Sequence, residues 1–269
     1  MKKTLATALT VAGSDSGAGA GVQADLLTFA ARGVWGTTVL TALTAQNPDR
    51  VSGILPVPAN FLKAQLDAVV SAFPIAAMKT GMLGDLAAIE AIVRFHKRHP
   101  SIKLVVDPVM VATSGAKLFS AGTAMDALTK KLIPRATLVT PNLDEAAILL
   151  GQSAGTVSAG TVETALELFH KFGVPVLLKG GHGSGTKISD ILVEFNGDVS
   201  IFTHRRLKDI NTHGSGCTLS AAITAELSKG KPLRDSVQEA IEYLQAAMKH
   251  SAKTPAGNFI AHLQKCGKD

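Results

Sequence analysis

The segment Thr212-His213-Gly214-Ser215-Gly216-Cys217-Thr218-Leu219-Ser220-Ala221-Ala222 joins a polar loop and a glycine turn to the start of a small-residue helix. Helix starts leave backbone N–H groups without intrahelical acceptors, so those near Gly214, Ser215, Gly216 and Cys217 are expected to converge as an anion cradle. The helix dipole favours negative charge at the same point. A thiol in that first turn is therefore expected to have a lowered pKa and to act as a base beside a phosphate in transfer. On spacing alone, the plainer alternative is a chain turn followed by a small core cysteine.

Other residues carry chemistry at comparable positions. Gly13-Ser14-Asp15-Ser16-Gly17-Ala18-Gly19-Ala20-Gly21 lets backbone approach a ligand closely, and Asp25 falls on the first turns of the helix that follows, able to face the same crevice. A dinucleotide fingerprint fails here, because the third glycine of Gly-x-Gly-x-x-Gly, counted from Gly17, falls on Val22. Asp107 and Glu145 each follow an apolar run of strand length, and two carboxylates on neighbouring strand ends suit Mg²⁺, which takes oxygen ligands and keeps several waters. Each alone also fits a helix N-cap or first-turn charge. Lys179 ends a buried-type strand, where a lysine needs a partner, and an ATP phosphate would supply one. Thr212 is placed with it on the nucleotide side. His182 reads as readily as a structural or solvent-facing residue as a catalytic one. No Gly-x-x-x-x-Gly-Lys-Ser/Thr stretch exists, which excludes a P-loop kinase.

These motifs, with Met78-Lys79-Thr80-Gly81-Met82-Leu83-Gly84, Thr44-Ala45-Gln46-Asn47 and Lys179-Gly180-Gly181-His182, closely resemble those of the hydroxymethylpyrimidine/phosphomethylpyrimidine kinases, a branch of the ribokinase-like superfamily. The resemblance covers residues 5 to 250 and fails beyond Ser251. It implies a pyrimidine site formed by Gly13, Asp25, Gln46 and Met82. Gln46 would meet the ring nitrogen and amino group of an aminopyrimidine with its paired acceptor and donor; the alternative is a turn residue before Pro48. Pyridoxal-preferring relatives tend to replace this glutamine. Met82 would lie against a flat ring, although methionine also serves as core filler. Thr80 stands where the family has isoleucine. Cys217 occupies the position at which most ribokinase-like enzymes place an aspartate base.

The elements that must position these residues are legible as alternating runs. Leu5–Ala12, Thr37–Ala45, Ile75–Lys79, Ile102–Val106, Thr137–Val139 and Val176–Lys179 read as strands. Helical patterns separate them at Gly21–Ala31, Asn60–Ala72, Leu86–His96, Ala124–Leu132, Asp144–Leu150 and Val162–Phe172. Alternation of this kind predicts an α/β fold with a mostly parallel central sheet and helices on both faces, the three-layer ribokinase-like arrangement that the resemblance implies. Ligands then bind beyond the carboxyl ends of the strands. An aperiodic stretch up to Ala121 suits a flap that would exclude water. Ile188–Glu194 and Val199–Thr203 read as a hairpin around Asn196-Gly197. Two helices, Gly216–Lys229 and Leu233–His250, close the fold. In the last, Val237, Ile241, Leu244 and Met248 fit a core face better than a cofactor site.

Composition bounds the partners. A chain of 269 residues with 46% hydrophobic content can bury one large domain core. The net charge of +6 comes from scattered basic residues, and aromatic content is only 4%, which suits anionic small substrates and argues against nucleic acid. Two cysteines without metal spacing and the lack of a leader before the first apolar run predict a cytoplasmic setting; Cys266 is assigned no role. No apolar run reaches membrane-spanning length.

The reading is a single-domain kinase, residues 1–269, that uses Mg²⁺ and ATP to phosphorylate 4-amino-5-hydroxymethyl-2-methylpyrimidine; the resemblance implies a second transfer, onto the monophosphate, in thiamine biosynthesis. A homodimer is expected by analogy with relatives. The alternatives are a pyridoxal or pyridoxine kinase, a dinucleotide-dependent oxidoreductase and a non-catalytic nucleotide-binding protein.

Overall fold

Strand residues that alternate between two apolar faces require cover on both, and the chain supplies it. The computed structural model describes residues 4–110, 122–157, 161–181, 186–207, 212–255 and 257–262. The first half runs β1 (Thr7–Ala12), α1 (Gly21–Ala31), β2 (Trp35–Leu40), β3 (Ala42–Gln46), β4 (Val51–Pro56), α2 (Ala59–Ala72), β5 (Ile75–Thr80), α3 (Leu86–Arg98) and β6 (Lys103–Val106). The second half runs α4 (Thr123–Ala127), β7 (Leu138–Val139), α5 (Leu143–Leu150), α6 (Val162–Phe172), β8 (Val176–Leu178), β9 (Lys187–Val193), β10 (Val199–Arg205), α7 (Ser215–Ser228), α8 (Leu233–Lys249), β11 (Ala252–Thr254) and β12 (Gly257–Phe259).

Eight strands form one sheet in the order β10-β9-β8-β7-β6-β5-β1-β2. The run from β2 to β8 is parallel, and β9 and β10 are antiparallel additions at one edge. Along β6, Leu104 and Val106 face a core with Leu62 of α2, Ile89 of α3 and Leu168 of α6. Val105, between them, faces the opposite core with Leu219 of α7 and Val237 of α8. Phe29 of α1 joins Ala221 and Ala225 of α7 on that second side. The sheet thus has helices on both faces, as the alternation predicts.

Some local expectations need correction. The run Thr37–Ala45 is not one strand: it breaks at Thr41, whose hydroxyl donates to the Met82 carbonyl at 2.6 Å. β2 stays in the main sheet, while β3 leaves it and pairs with β4 as a separate two-stranded sheet. Lys179 follows a strand third from the sheet edge, an interior position but not the centre. The helix expected over Ala124–Leu132 is regular only to Ala127 and continues as a π turn over Leu128–Leu132. The Asn-Gly hairpin forms as expected, with Gly197 at φ 85°. The expected flap to Ala121, His182 and Cys266 lie outside the described residues. Among the described residues no helix is long and apolar enough to cross a membrane.

Candidate active site

A cavity of about 800 Å³ lies beyond the carboxyl ends of the parallel strands and receives residues from each of the motifs. Its wall includes Thr212 and the turn from Gly214 to Cys217, together with Gly13, Gln46 and Met82 and with Asp107, Glu145 and Lys179.

The turn is built on close backbone contact. Gly214 is left-handed at φ 77°, and a Cβ there would lie 1.8 Å from the Gly19 carbonyl oxygen, so no other residue fits. Ser215 N–H donates to the Thr212 carbonyl at 3.0 Å. That donor is already used, so the cradle expected from the whole turn rests on fewer groups. Gly216 and Cys217, in the first turn of α7, have no intrahelical acceptors for their N–H groups. A Cβ at Gly216 would meet Lys179 Nζ at 3.3 Å, which puts the ammonium beside this turn.

Lys179 Nζ lies 3.0 Å from Asp107 Oδ1 and 4.0 Å from Glu145 Oε2. The two carboxylates meet because β6 and β7 are adjacent parallel strands. Asp107 also accepts from Thr140 and from Ser220 of α7, each at 3.1 Å. Burial acts against its charge, but the Lys179 and Lys79 ammonium groups hold its carboxyl below the usual range. Glu145 serves two ends at once: it completes a capping box with Asn142 at the start of α5 and faces Lys179. Burial pushes its carboxyl up to about 7, helped by the Asp107 charge and opposed by Lys179.

Cys217 is half-buried and lines the cavity, but its expected low pKa is overturned. Burial raises the thiol to about 11, with Asp25 and Asp107 adding to the rise and Lys79 and the Gly21 N–H opposing it. Burial first, and then the charges of Asp25 and Asp107, raise the thiol where the helix start alone would lower it.

Met82 lies across Gly13, where a Cβ would come within 2.3 Å of the methionine Cε. Gln46, the last residue of β3, lines the same cavity. Asp25 does not join this group, which corrects its expected place in the crevice. It is fully buried, accepts from Thr10 Oγ1 at 2.6 Å and pairs with the equally buried Lys79 at 2.6 Å. On α1 the same helical position that could face the crevice instead faces the sheet.

Sequence reasoning missed Lys79, although the rule applied to Lys179, that a lysine in a buried strand needs a partner, applies to it equally. It also missed Asp15, which lines the cavity and faces His213 Nε2 at 3.1 Å. Nothing local signals that pair. Ile241, Leu244 and Met248 of α8 are core residues, as expected, yet they also form part of the cavity wall.

The family described as phosphomethylpyrimidine kinase matches residues 15–262. The likeness therefore continues past Ser251, where the motifs had suggested that it ends. A hydroxymethylpyrimidine/phosphomethylpyrimidine kinase of Haemophilus influenzae is 42% identical over 254 residues, covering 93% of each chain. The pyridoxal kinase from Staphylococcus aureus in complex with AMP-PCP and pyridoxal superposes with a TM-score of 0.84 at 33% identity, over 97% of this chain and 94% of that one. A phosphomethylpyrimidine kinase from Clostridium difficile 630 gives a TM-score of 0.77 at 36% identity, over 91% and 99%. The fold is ribokinase-like, and by the extent of these matches the chain belongs to the phosphomethylpyrimidine kinase family.

Proposed function

We propose that this phosphotransferase moves the γ-phosphoryl of ATP onto the hydroxymethyl oxygen of 4-amino-5-hydroxymethyl-2-methylpyrimidine, and then a second phosphoryl onto the monophosphate, for thiamine biosynthesis. The observation that carries the reading is one cavity lined both by Gln46, Met82 and Gly13 and by the Gly214–Cys217 turn, with Lys179 paired to Asp107.

Phosphoryl transfer needs mainly alignment and charge stabilisation. Gln46 orients the pyrimidine by a two-point contact, and Met82 packs on its ring. Lys179 and Thr212 hold the nucleotide phosphates, and the Gly216 and Cys217 N–H groups face the charge that develops on the transferred group. In a loose transition state the acceptor hydroxyl keeps its proton until late, and the thiolate form of Cys217, a small fraction at neutral pH with the thiol raised to about 11, then accepts it. The new bond joins the hydroxymethyl oxygen to phosphorus; the β–γ bridge bond breaks and ADP leaves.

Asp107 and Glu145 fit a magnesium site: one carboxylate directly after β6 and one in the first turn of α5, both facing Lys179 in the cavity, would be the protein share Mg²⁺ takes beside phosphate oxygens and water. Bound there, the ion neutralises phosphate charge. A homodimer is proposed as well, supported by Leu43, Ile54 and Leu55, which are exposed on the small β3–β4 sheet. A cytoplasmic setting accords with ATP as co-substrate and with Cys217 as a free thiol.

A second reading, pyridoxal kinase, is favoured by one observation: the Staphylococcus aureus pyridoxal kinase superposes well over nearly the whole chain. To test the first reading, the protein is incubated with Mg-ATP and the hydroxymethylpyrimidine, and products are separated by mass over time. The expected course is monophosphate, then diphosphate. Accumulation of monophosphate alone would remove the second transfer, and no phosphorylated pyrimidine would remove the reading.

A further inference from the structure

The loop of residues 13–20 makes polar contacts both to the turn before α7 and to β3. Asp15 is 3% exposed, and its carboxylate is fully engaged. Oδ1 accepts from Gly17 N–H at 2.8 Å; Oδ2 accepts from Ala20 N–H at 2.9 Å and from His213 Nε2 at 3.1 Å. A carboxylate held this way only accepts, so Nε2 carries the imidazole proton. Burial works against the charged carboxyl, but His213 and the two amides hold it below its usual range. The loop and the turn also nest by shape: a Cβ at Gly19 would lie 2.6 Å from the His213 ring, and one at Gly214 would strike the Gly19 carbonyl.

The next residue contacts β3. Ser16 Oγ accepts from Gln46 N–H at 2.8 Å and lies within donating distance of the Gln46 carbonyl at 2.8 Å and the Thr44 carbonyl at 3.0 Å. Thr44 returns the contact through its hydroxyl to the Ser14 carbonyl at 2.7 Å. Since β3 has left the main sheet, these contacts tie Gln46 to the loop after β1.

We propose that Asp15 and Ser16 are positioning residues that set two parts of the site from one loop: Asp15 holds the Gly214 turn through His213, and Ser16 holds Gln46 by its backbone. The inference rests on the kinase reading above. It requires the two side chains to affect different kinetic parameters, whereas residues that merely maintain the fold would lower all of them together.

The test is steady-state kinetics of the full chain with hydroxymethylpyrimidine and with pyridoxal, beside thermal unfolding of each variant. Small misplacements at a reacting centre cost up to about 100-fold, so Asp15→Asn should lower kcat about 10- to 100-fold with either acceptor while KM moves less than about threefold. Ser16→Ala should raise KM for the pyrimidine about tenfold and KM for pyridoxal less than about threefold. His213→Ala should reproduce Asp15→Asn, His213→Gln should restore part of kcat by keeping a donor, and the Asp15→Asn/His213→Ala pair should cost no more than either change alone. The histidine variants keep the test open if Asp15→Asn does not fold. Parallel losses in kcat and KM for both acceptors, or losses that multiply in the double variant, would overturn the proposal while leaving the kinase reading intact. Absence of turnover by the unaltered protein would overturn that reading first.

Discussion

Lys79 Nζ lies 2.6 Å from Asp25 Oδ1, and neither side chain reaches solvent. The ammonium also stands 3.5 Å from the Cys217 carbonyl, so the pair sits against the first turn of α7. Burial acts against the lysine's charge, but Asp25 holds its pKa above the usual value.

Removing one member of such a pair leaves the other charged and dry. Lys79→Met is expected to lower unfolding stability by about 3–5 kcal/mol, and Lys79→Met with Asp25→Leu to recover most of it. Urea titration with a fixed m-value measures both. A loss under about 1 kcal/mol in the single variant would show that the pair is not the buried charge it is drawn to be.

Cys217→Ala is expected to lower kcat by about 10²- to 10⁴-fold if Sγ is the acceptor of the substrate proton. With the thiol near 11, its thiolate fraction grows as pH rises from neutrality, so kcat/KM should climb with pH and the variant should lose that part of the slope. Near-normal turnover in the alanine variant would leave only the backbone groups of the turn.

Glu226 on α7 offers a pH prediction remote from the chemistry. Burial opposes its charge, yet Lys229, Lys231 and Arg32 hold its carboxyl down to about 2, against an ordinary 4.5. A depressed folded-state value gives stability that is present above 4.5 and lost as pH falls from there through 2. Because the three cations are partly exposed, Glu226→Gln should cost on the order of 2 kcal/mol at pH 7. The gap should shrink towards pH 3 in paired thermal scans, and a constant gap would contradict the assignment.

Much of this arrangement was legible because it is local. The alternation of Leu104, Val105 and Val106 between two cores is a period-2 pattern, and the carboxylates at 107 and 145 follow strands that such runs mark out. The cavity gathers those two with Lys179, Gln46 and the glycine turn. The failures are long-range. Asp25 was placed in the crevice because a helix position alone does not say that Lys79, 54 residues away, will claim it. The dipole at the start of α7 predicts a low thiol pKa only while the burial of Cys217 and the charges of Asp25 and Asp107 are out of view. Asp15 and His213 are 198 residues apart. The break at Thr41 comes from a tertiary bond to Met82, which strand propensity cannot register.

Gln46→Met is expected to weaken pyrimidine binding by about 1–3 kcal/mol, since an amide pair on a heteroaromatic edge is lost, while pyridoxal binding changes less. Calorimetry with each acceptor in the presence of AMP-PCP reads the difference. Equal losses would show that the amide does not choose the substrate.

Offered Mg-ATP with hydroxymethylpyrimidine and pyridoxal in equal amounts, and with the products resolved by mass, the protein should yield pyrimidine monophosphate and diphosphate as the dominant products. Pyridoxal phosphate in their place would rule out the pyrimidine kinase and leave a pyridoxal kinase.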